Sequence, residues 1–217
     1  MKNSVMFLFL RGFIYMFMIA GLAHLVTLEG YELRTESEYS EYSLTEWLES
    51  GLALLSGLLF LIVAKINLVM RPVAAMLTAL FLMICIREAD YFLDKLVADG
   101  AWQVLVTAVL VVIVLYLWKQ KTSITESIRA FSQQPSSGIL LSGFLTLFVF
   151  SRLIGRARFW EAVMGDGYMR VVKNISEEAT ELLGYGLLSI AAIEMLLVSL
   201  FALREPVFPG DRDDHRE

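Results

Sequence analysis

Six long apolar stretches divide this 217-residue chain and limit the folds that it can adopt. They lie at about 5–26, 44–64, 72–86, 102–118, 138–154 and 176–203, and the third continues past Asp90 towards Leu96. Their lengths are near the ~20 residues with which an apolar helix crosses a bilayer. Because lipid offers the backbone no hydrogen-bond partner, such stretches form helices. The sequence therefore predicts an all-α polytopic membrane helical bundle with six transmembrane helices.

The composition supports a membrane protein and argues against several other classes. Hydrophobic residues make up 57% of the chain and charged residues 19%, which is too apolar for an ordinary soluble domain. The net charge of −5, without a basic patch, argues against nucleic acid as a partner. Cys85 is the single cysteine, and two histidines, His24 and His215, are too few for a histidine-based metal site. The sequence carries no haem or nucleotide signature.

The predicted organisation is one six-span domain, residues 1–204, followed by a polar tail at 205–217 that we expect to be disordered. An even number of spans places both termini on one side of the membrane. Two short connections with a basic excess, 65–71 and 119–137, lie on that side together with Lys2 and Arg204. By the positive-inside rule, the N- and C-termini are therefore cytoplasmic. A short interfacial helix is expected near 159–163, on the other side.

Two of the apolar stretches begin with the same acidic pattern. One contains Glu46 and Glu49, and the other contains Glu178 and Glu181, with Ser176 as the expected N-cap of its helix. Carboxylates at positions i and i+3 share one face of a helix. In a membrane helix they usually face protein, water or a cation and avoid lipid. The pattern predicts a polar site near one membrane surface.

Other charged residues fall at the same predicted surface. The third span ends with Arg87, Glu88 and Asp90, and the fifth ends with Arg152 and Arg156. The predicted ligand- or ion-binding set is Glu46, Glu49, Arg87, Glu88, Asp90, Arg152, Arg156, Glu178 and Glu181. One interpretation is structural, because the planar fork of arginine binds carboxylates bidentately and would join the helices. Six acids against three arginines leave negative charge for protons, metal ions, a cationic ligand or water to neutralise.

A divalent metal ion is one cofactor that this set would suit. Oxygen ligands from Glu46, Glu49, Glu178 and Glu181 would favour Mg²⁺, Ca²⁺ or Mn²⁺ over zinc. Paired Glu-x-x-Glu helices occur in di-metal carboxylate bundles, but those add a histidine that is missing here. Shared protons are the alternative, since closely spaced carboxylates titrate together.

Arg11 and Glu194 lie deeper, in the first and last spans. The simpler interpretation is that Glu194 pairs with Arg11. The sharper one is a proton or ion path that leads inward from the acidic cluster.

The motif order resembles that of a set of uncharacterised bacterial multi-pass inner-membrane proteins. The motifs are Glu-x-x-Glu at 46–49, Arg-Glu-x-Asp at 87–90 and Glu-Glu-x-x-Glu at 177–181. The resemblance implies a bacterial inner-membrane location and no activity. Arg87 to Asp90 also partly resembles the Arg-Glu-x-x-Glu element of high-affinity iron permeases. The spacing here is one residue shorter and the last acid is Asp, so iron transport is not carried over.

The sequence is compatible with three functions. The leading hypothesis is cation binding or transport, with a proton or divalent metal ion at the glutamates and the arginines setting their geometry. The second is a structural or accessory subunit of a membrane complex. The expected partners are the lipid bilayer and either further copies of the chain or a membrane complex. The third is a lipid-modifying enzyme that grips phosphate with its arginines and uses a carboxylate as general base. No nucleophile motif or phosphate loop is present, so the sequence does not predict catalytic residues.

Overall fold

The computed structural model describes residues 2–32, 44–96, 98–120 and 124–204, and those residues form helices joined by short turns, without a β-strand. The helices are α1 (Lys2–Glu32), α2 (Leu44–Ile66), α3 (Arg71–Glu88), α4 (Asp90–Leu96), α5 (Ala101–Lys119), α6 (Ile124–Ser132), α7 (Pro135–Leu145), α8 (Ser151–Ile154), α9 (Ala157–Met164) and α10 (Arg170–Arg204). A π-helical stretch, Thr146–Phe150, joins α7 to α8 into one rod, and a short 3₁₀ turn, Gly165–Gly167, follows α9. The all-α prediction is confirmed. The predicted tail at 205–217 lies outside the described residues.

Five helical segments of the described chain are long and apolar enough to cross a membrane. They are Met6–Tyr31, Leu44–Ile66, Ala101–Lys119, Pro135–Ile154 and Arg170–Leu203. The coarse prediction of a membrane helical bundle agrees with these five candidates, whereas the count of six differs from them. The helix that separates the two counts is α3, whose 18 residues include Arg71, Arg87 and Glu88. Charges at both of its ends leave it shorter in apolar length than the other five.

The core of the bundle lies where α2, α3, α10 and the α7–α8 rod meet. Phe60, Phe81, Leu188 and Met195 are fully buried there. α1 packs outside this core against α10 and α2, and α5 packs against α3 and α4. Helix α5 buries none of its residues within the bundle. Its apolar surface therefore suits contact with lipid.

Glycine allows α10 to approach the α7–α8 rod closely. A Cβ on Gly143 would lie 2.8 Å from Leu188 Cδ2, and one on Gly184 would lie 3.0 Å from Leu147 Cβ. Such distances are shorter than ordinary van der Waals contact, so larger side chains at these positions would push the helices apart. Gly184 therefore allows close helix packing.

Helix α10 begins earlier than the sequence predicts. It starts at Arg170, and Ser176 lies inside it, where its Oγ donates a hydrogen bond to the Val172 carbonyl at 2.7 Å. Ser176 is therefore not an N-cap, and that prediction is wrong. The physical reason is that residues 170–175, in which Arg170, Lys173 and Asn174 alternate with apolar side chains, continue the helix ahead of the predicted span. Glu178 and Glu181 consequently lie two to three turns inside the helix.

The segment after α3 also differs from the prediction of an unbroken helix towards Leu96. The helix ends at Glu88, and the chain bends at Ala89 (φ −91°, ψ 11°) before it resumes as α4. The Ala89 N–H still donates to the Cys85 carbonyl at 3.1 Å. Asp90 is therefore the first residue of a separate short helix.

Two connections contain helices. α9 spans the region near 159–163, where the sequence predicts a short helix. α6 lies in the connection 119–137, where none was predicted, and it packs against α3. Its fully buried Ser127 Oγ accepts a hydrogen bond from the Val73 N–H at 3.3 Å. This bond satisfies one of the backbone donors at the start of α3.

Candidate functional site

Several charged side chains meet at one end of the bundle, which we call the acidic end. It is formed where α1 ends, α2 begins, α3 ends and α8 ends, beside the early turns of α10. α1 contributes Glu29, which caps α2 from outside: its carboxylate accepts hydrogen bonds from the Leu44 N–H at 2.9 Å, the Thr45 N–H at 3.2 Å and the Thr45 hydroxyl. A carboxylate at a helix N-terminus is stabilised by the helix dipole. The start of α2 is therefore held against α1.

Glu49 is the buried acid of α2. Its residue is only 7% exposed, and its Oε1 has no hydrogen-bond partner among the described residues. It belongs to a stripe of buried positions on α2, with Thr45 before it and Ala53, Ser56 and Phe60 after it, that repeats with helical spacing and faces the core. Glu46 lies one turn earlier and is exposed. The two members of the first predicted acidic pair are thus in different environments.

Arg152 is the arginine that forms ion pairs with acids of this site. Its Nη2 lies 2.8 Å from Glu181 Oε1, and its Nη1 lies 3.4 Å from Glu177 Oε1. Lys173 Nζ lies 2.5 Å from Glu177 Oε2, one turn away on α10. Ser151 Oγ adds a 3.3 Å hydrogen bond to Glu181 Oε1. The expectation that an arginine of the fifth span holds an acid of another helix is confirmed for Arg152.

The other two arginines of the predicted set behave differently. Arg87 and Arg156 are both exposed, and neither forms an ion pair within the part of the chain that the structure describes. Arg87 acts electrostatically on the neighbouring Glu88 without contacting it. The expectation that all three arginines clamp glutamates is therefore wrong for these two, because their exposed side chains lie outside the packed interface.

The electrostatic surroundings of Glu49 are acidic. Among the described residues, its strongest charged neighbours are four carboxylates, those of Glu181, Glu178, Glu88 and Glu46. Arg152, by contrast, acts on Glu181 and on Glu88. The positive charge of the site is thus directed at the acids beside Glu49. Glu49 itself is left with like charges and an unbonded oxygen.

A line of buried polar groups continues inward from Glu49 along the interface of α2 and α10. Tyr185 lies one turn beyond Glu181 and is 5% exposed. Ser56 and Ser189 follow, with 2.9 Å between their hydroxyl oxygens. The next polar contact is from Asn67 Nδ2 to Ser199 Oγ, at 3.1 Å.

That line is interrupted before it reaches the other end of the bundle. Ser189 and Ser199 are ten residues apart on α10, about 15 Å at the helical rise of ~1.5 Å per residue. Ala192 and Met195, both fully buried, lie between them. The arrangement therefore suits a binding site with a short polar extension better than a continuous path across the bundle.

A second buried acid, Glu194, lies deeper on α10 and faces α1. Its Oε2 is 2.8 Å from Arg11 Nη1, and its Oε1 accepts a hydrogen bond from the Tyr15 hydroxyl at 2.6 Å. Arg11 also lies over the Phe7 ring, 5.2 Å from its centroid. The predicted pairing of Glu194 with Arg11 is confirmed. In the described chain, the polar side-chain contacts of Arg11 and Glu194 are with each other and with Tyr15, so they do not extend the alternative, an ion path.

The metal hypothesis finds less geometric support. No group of three or more His, Cys, Asp or Glu side chains in the described ranges is placed to hold a metal ion. Of the four glutamates expected as ligands, Glu181 is engaged by Arg152 and Glu46 is exposed. The four do not assemble into one oxygen cage because they lie at different depths of the bundle.

The structure also brings in residues outside the predicted set, namely Glu29, Ser151, Lys173, Glu177 and Tyr185. Lys173 and Glu177 form an i, i+4 pair that the sequence carries openly. It is overlooked if the helix is taken to start at Ser176. Glu29 and Ser151 carry no such local signal, because their partners are on other helices.

No similar protein adds to what this geometry indicates about function. No family model, no curated protein and no solved structure matches the chain. The functional inference therefore depends on the buried acid, its neighbours and the helices that hold them.

Proposed function

We propose that this chain is a six-span protein of the bacterial inner membrane that binds a cation, in the first place a proton, at Glu49. The observation that carries the proposal is the state of that side chain. It is buried, one of its carboxylate oxygens has no hydrogen-bond partner among the described residues, and its strongest charged neighbours are acids. Binding in this proposal serves cation-linked transport.

Burying an ionised carboxylate costs free energy. An unpaired buried charge is far less stable than a paired one, and it relaxes by taking up a proton or a counter-ion. Arg152 supplies a counter-ion for Glu181 at 2.8 Å, so that acid has a partner within the protein. Glu49 has no equivalent cation among the described residues. It is therefore the position at which an external proton or cation gains most.

A proton fits this position better than a divalent metal ion. A metal would require several oxygen ligands in defined positions, and the described residues offer no such group. A proton needs one carboxylate oxygen and an acceptor or water nearby. The polar groups beyond Glu49, Tyr185 and the Ser56–Ser189 pair, are suited to exchange protons with it over a short distance.

The six-span arrangement is part of the proposal. The 18 residues of α3 give about 27 Å of helix, close to the hydrocarbon thickness of ~30 Å. Its charged ends, Arg71 and Arg87, have long side chains that reach the two interfaces. With α3 included, the number of spans is even. The basic connections that contain Lys65, Arg71 and Lys119 then face the cytoplasm together with both termini.

The test compares Glu49→Gln with Glu46→Gln, the same substitution one turn away on the same helix. Protein reconstituted into vesicles is titrated with acid and base while infrared difference spectra record the carboxylic acid C=O band. We expect the parent and Glu46→Gln to show a protonation band that Glu49→Gln lacks. The three proteins should be present in membranes in equal amounts.

Two outcomes would contradict the proposal. One is a protonation band that persists unchanged in Glu49→Gln. The other is loss of the folded Glu49→Gln protein with a stable Glu46→Gln control, which would make Glu49 a structural residue and favour an accessory subunit. A band that shifts when Mg²⁺ or Mn²⁺ is added, in the parent but not in Glu49→Gln, would extend the bound species to a metal ion.

A further inference from the structure

A groove runs along the outside of the bundle between α3 and α5. Its volume is about 690 Å³, which is in the range of small-molecule pockets. Its walls are almost wholly apolar. Representative lining residues are Ala75, Ala79 and Leu82 from α3, and Leu105, Val109 and Val112 from α5. A surface of this kind suits a hydrocarbon chain.

The groove extends along most of α3. On α3 its lining extends from Arg71 to Ile86, about 22 Å at ~1.5 Å per residue. One leaflet of a bilayer contributes about half of the ~30 Å hydrocarbon thickness. The groove therefore has room for an extended acyl chain from one leaflet.

One end of the groove is polar and positively charged. Lys65, at the end of α2, and Arg71, at the start of α3, line it together with Tyr116 from α5. We call this the basic end of the bundle. Arg71 Nε donates a hydrogen bond to the Ala64 carbonyl at 2.9 Å, which positions the guanidinium beside the last turn of α2. Neither Lys65 nor Arg71 forms an ion pair with a residue that the structure describes.

We propose that the groove binds one anionic phospholipid. Its phosphate contacts Lys65 and Arg71, and one acyl chain lies between α3 and α5. Two cations that form no ion pair within the described chain, with a long apolar surface below them, match the charge and shape of such a lipid. Basic pockets of this kind between membrane helices bind anionic head groups. A lipid with no net charge would fill the apolar part without the same gain at the basic end.

This site is independent of the proposed function at Glu49. It involves α5, which contacts α3 and α4, and it has its charges at the end of α2 opposite Glu49. Loss of lipid binding would leave proton binding at Glu49 unaffected. Failure of one proposal is therefore distinguishable from failure of the other.

The charge is tested with Lys65→Gln, matched by Lys119→Gln. Lys119 is also at the basic end but does not line the groove. The purified full-length protein is stripped of lipid in mild detergent and then offered equal amounts of phosphatidylglycerol and phosphatidylcholine. Native mass spectrometry measures the ratio of the two bound lipids. We expect the parent and Lys119→Gln to prefer phosphatidylglycerol, and Lys65→Gln to lose roughly fivefold of that preference, about 1 kcal/mol.

The apolar part is tested with Val112→Phe, matched by Val111→Phe. Both valines are exposed on α5, but Val112 lines the groove and Val111 does not. The larger ring at Val112 fills the space that the acyl chain would occupy, so bound phosphatidylglycerol should decrease several-fold relative to Val111→Phe. This pair is informative even if Lys65→Gln folds poorly, because neither valine is in the core.

Equal lipid ratios in the parent, Lys65→Gln and Lys119→Gln would overturn the assignment of the head-group site. Equal lipid retention in Val112→Phe and Val111→Phe would overturn the assignment of the acyl chain to this groove. Loss of bound phosphatidylglycerol in both members of either pair would also count against the proposal, since the effect would not be specific to the groove.

Discussion

Glu49 and Glu194 are buried to almost the same degree, 7% and 4% exposed, yet they have opposite surroundings. Glu194 has Arg11 on one oxygen and Tyr15 on the other. Among the described residues, Glu49 Oε1 has no hydrogen-bond partner, and the strongest charged neighbours of Glu49 are carboxylates. The comparison teaches that burial alone does not mark a functional acid in a helical membrane bundle. An acid whose partners are supplied by the protein stabilises the fold, whereas one without them is available to a ligand.

The largest expected effect on the free energy of unfolding comes from removing the cationic partner of Glu194. Arg11→Ala removes the cation of Glu194 and leaves a buried charge with only the Tyr15 hydroxyl. We expect the free energy of unfolding to fall by about 3 kcal/mol, measured by reversible denaturation in mixed micelles. Arg158→Ala, on the exposed surface of α9, is the control and should change it by less than ~0.5 kcal/mol. An effect of the same size in both variants would remove the distinction.

A Glu→Gln substitution at each of the two buried acids tests the comparison directly. Glu194→Gln loses a charge-assisted pair with Arg11, so we expect a loss of about 2 kcal/mol in the free energy of unfolding. Glu49→Gln removes a carboxylate that has only like-charged neighbours and should leave stability unchanged or raise it by about 1 kcal/mol. Denaturation of the two variants side by side measures the difference. If both lose stability equally, Glu49 has a structural partner and the comparison fails.

Arg152 forms an ion pair with Glu181, which lies beside Glu49. It therefore connects an acid that has a cationic partner with one that has none among the described residues. Its side chain is 52% exposed, so we expect Arg152→Gln to reduce the free energy of unfolding by only about 1 kcal/mol. The larger consequence should be a changed infrared titration of the acidic end, since its main counter-charge is gone. Arg156→Gln, one turn further and without an ion pair in the described chain, should leave the titration as in the parent. Identical titrations for the two variants would show that Arg152 has no influence on Glu49.

The smallest expected effect concerns the hydroxyl pair that lies between the two acids. Ser189→Ala removes the contact to Ser56, which retains its hydrogen bond to the Leu52 carbonyl at 2.7 Å. The free energy of unfolding should therefore fall by no more than about 1 kcal/mol. If the hydroxyls exchange protons with Glu49, the rate of proton uptake in stopped-flow measurements should slow. Ser142→Ala, on the exposed side of the α7–α8 rod, is the control.

Much of the fold follows from local patterns. Long apolar runs predict helices because the backbone must satisfy its own hydrogen bonds in lipid, and three of the five candidate spans begin and end within about three residues of the predicted positions. The errors occur at helix ends, where a helix begins earlier or stops sooner than its apolar run. Arg170 starts α10 ahead of its apolar part, and Ala89 separates α3 from α4. Neither event changes the hydrophobicity of the run, so hydrophobicity does not report it.

The candidate site is less fully predictable than the fold. The motifs identify Glu49, Glu181 and Arg152, which are at the centre of the observed site. They give the same weight to Glu46 and Arg156, which are exposed. Residues at i and i+3 share a helical face, and no local rule says how far along that face the neighbouring helices cover it. Burial at that point depends on packing.

The sequence by itself determined that the chain forms apolar helices and that its acids gather at one end of them. It also determined that few arginines are available to neutralise those acids. Only the tertiary structure decided that Arg152 pairs with Glu181 and Glu177, and that Arg11 and Tyr15 enclose Glu194. It also decided that Glu49 Oε1 has no such partner in the part of the chain that the structure describes. The physical reason is that charge pairing is a short-range property of atoms on different helices. It depends on helix rotation and depth, which residues far apart in the chain set together.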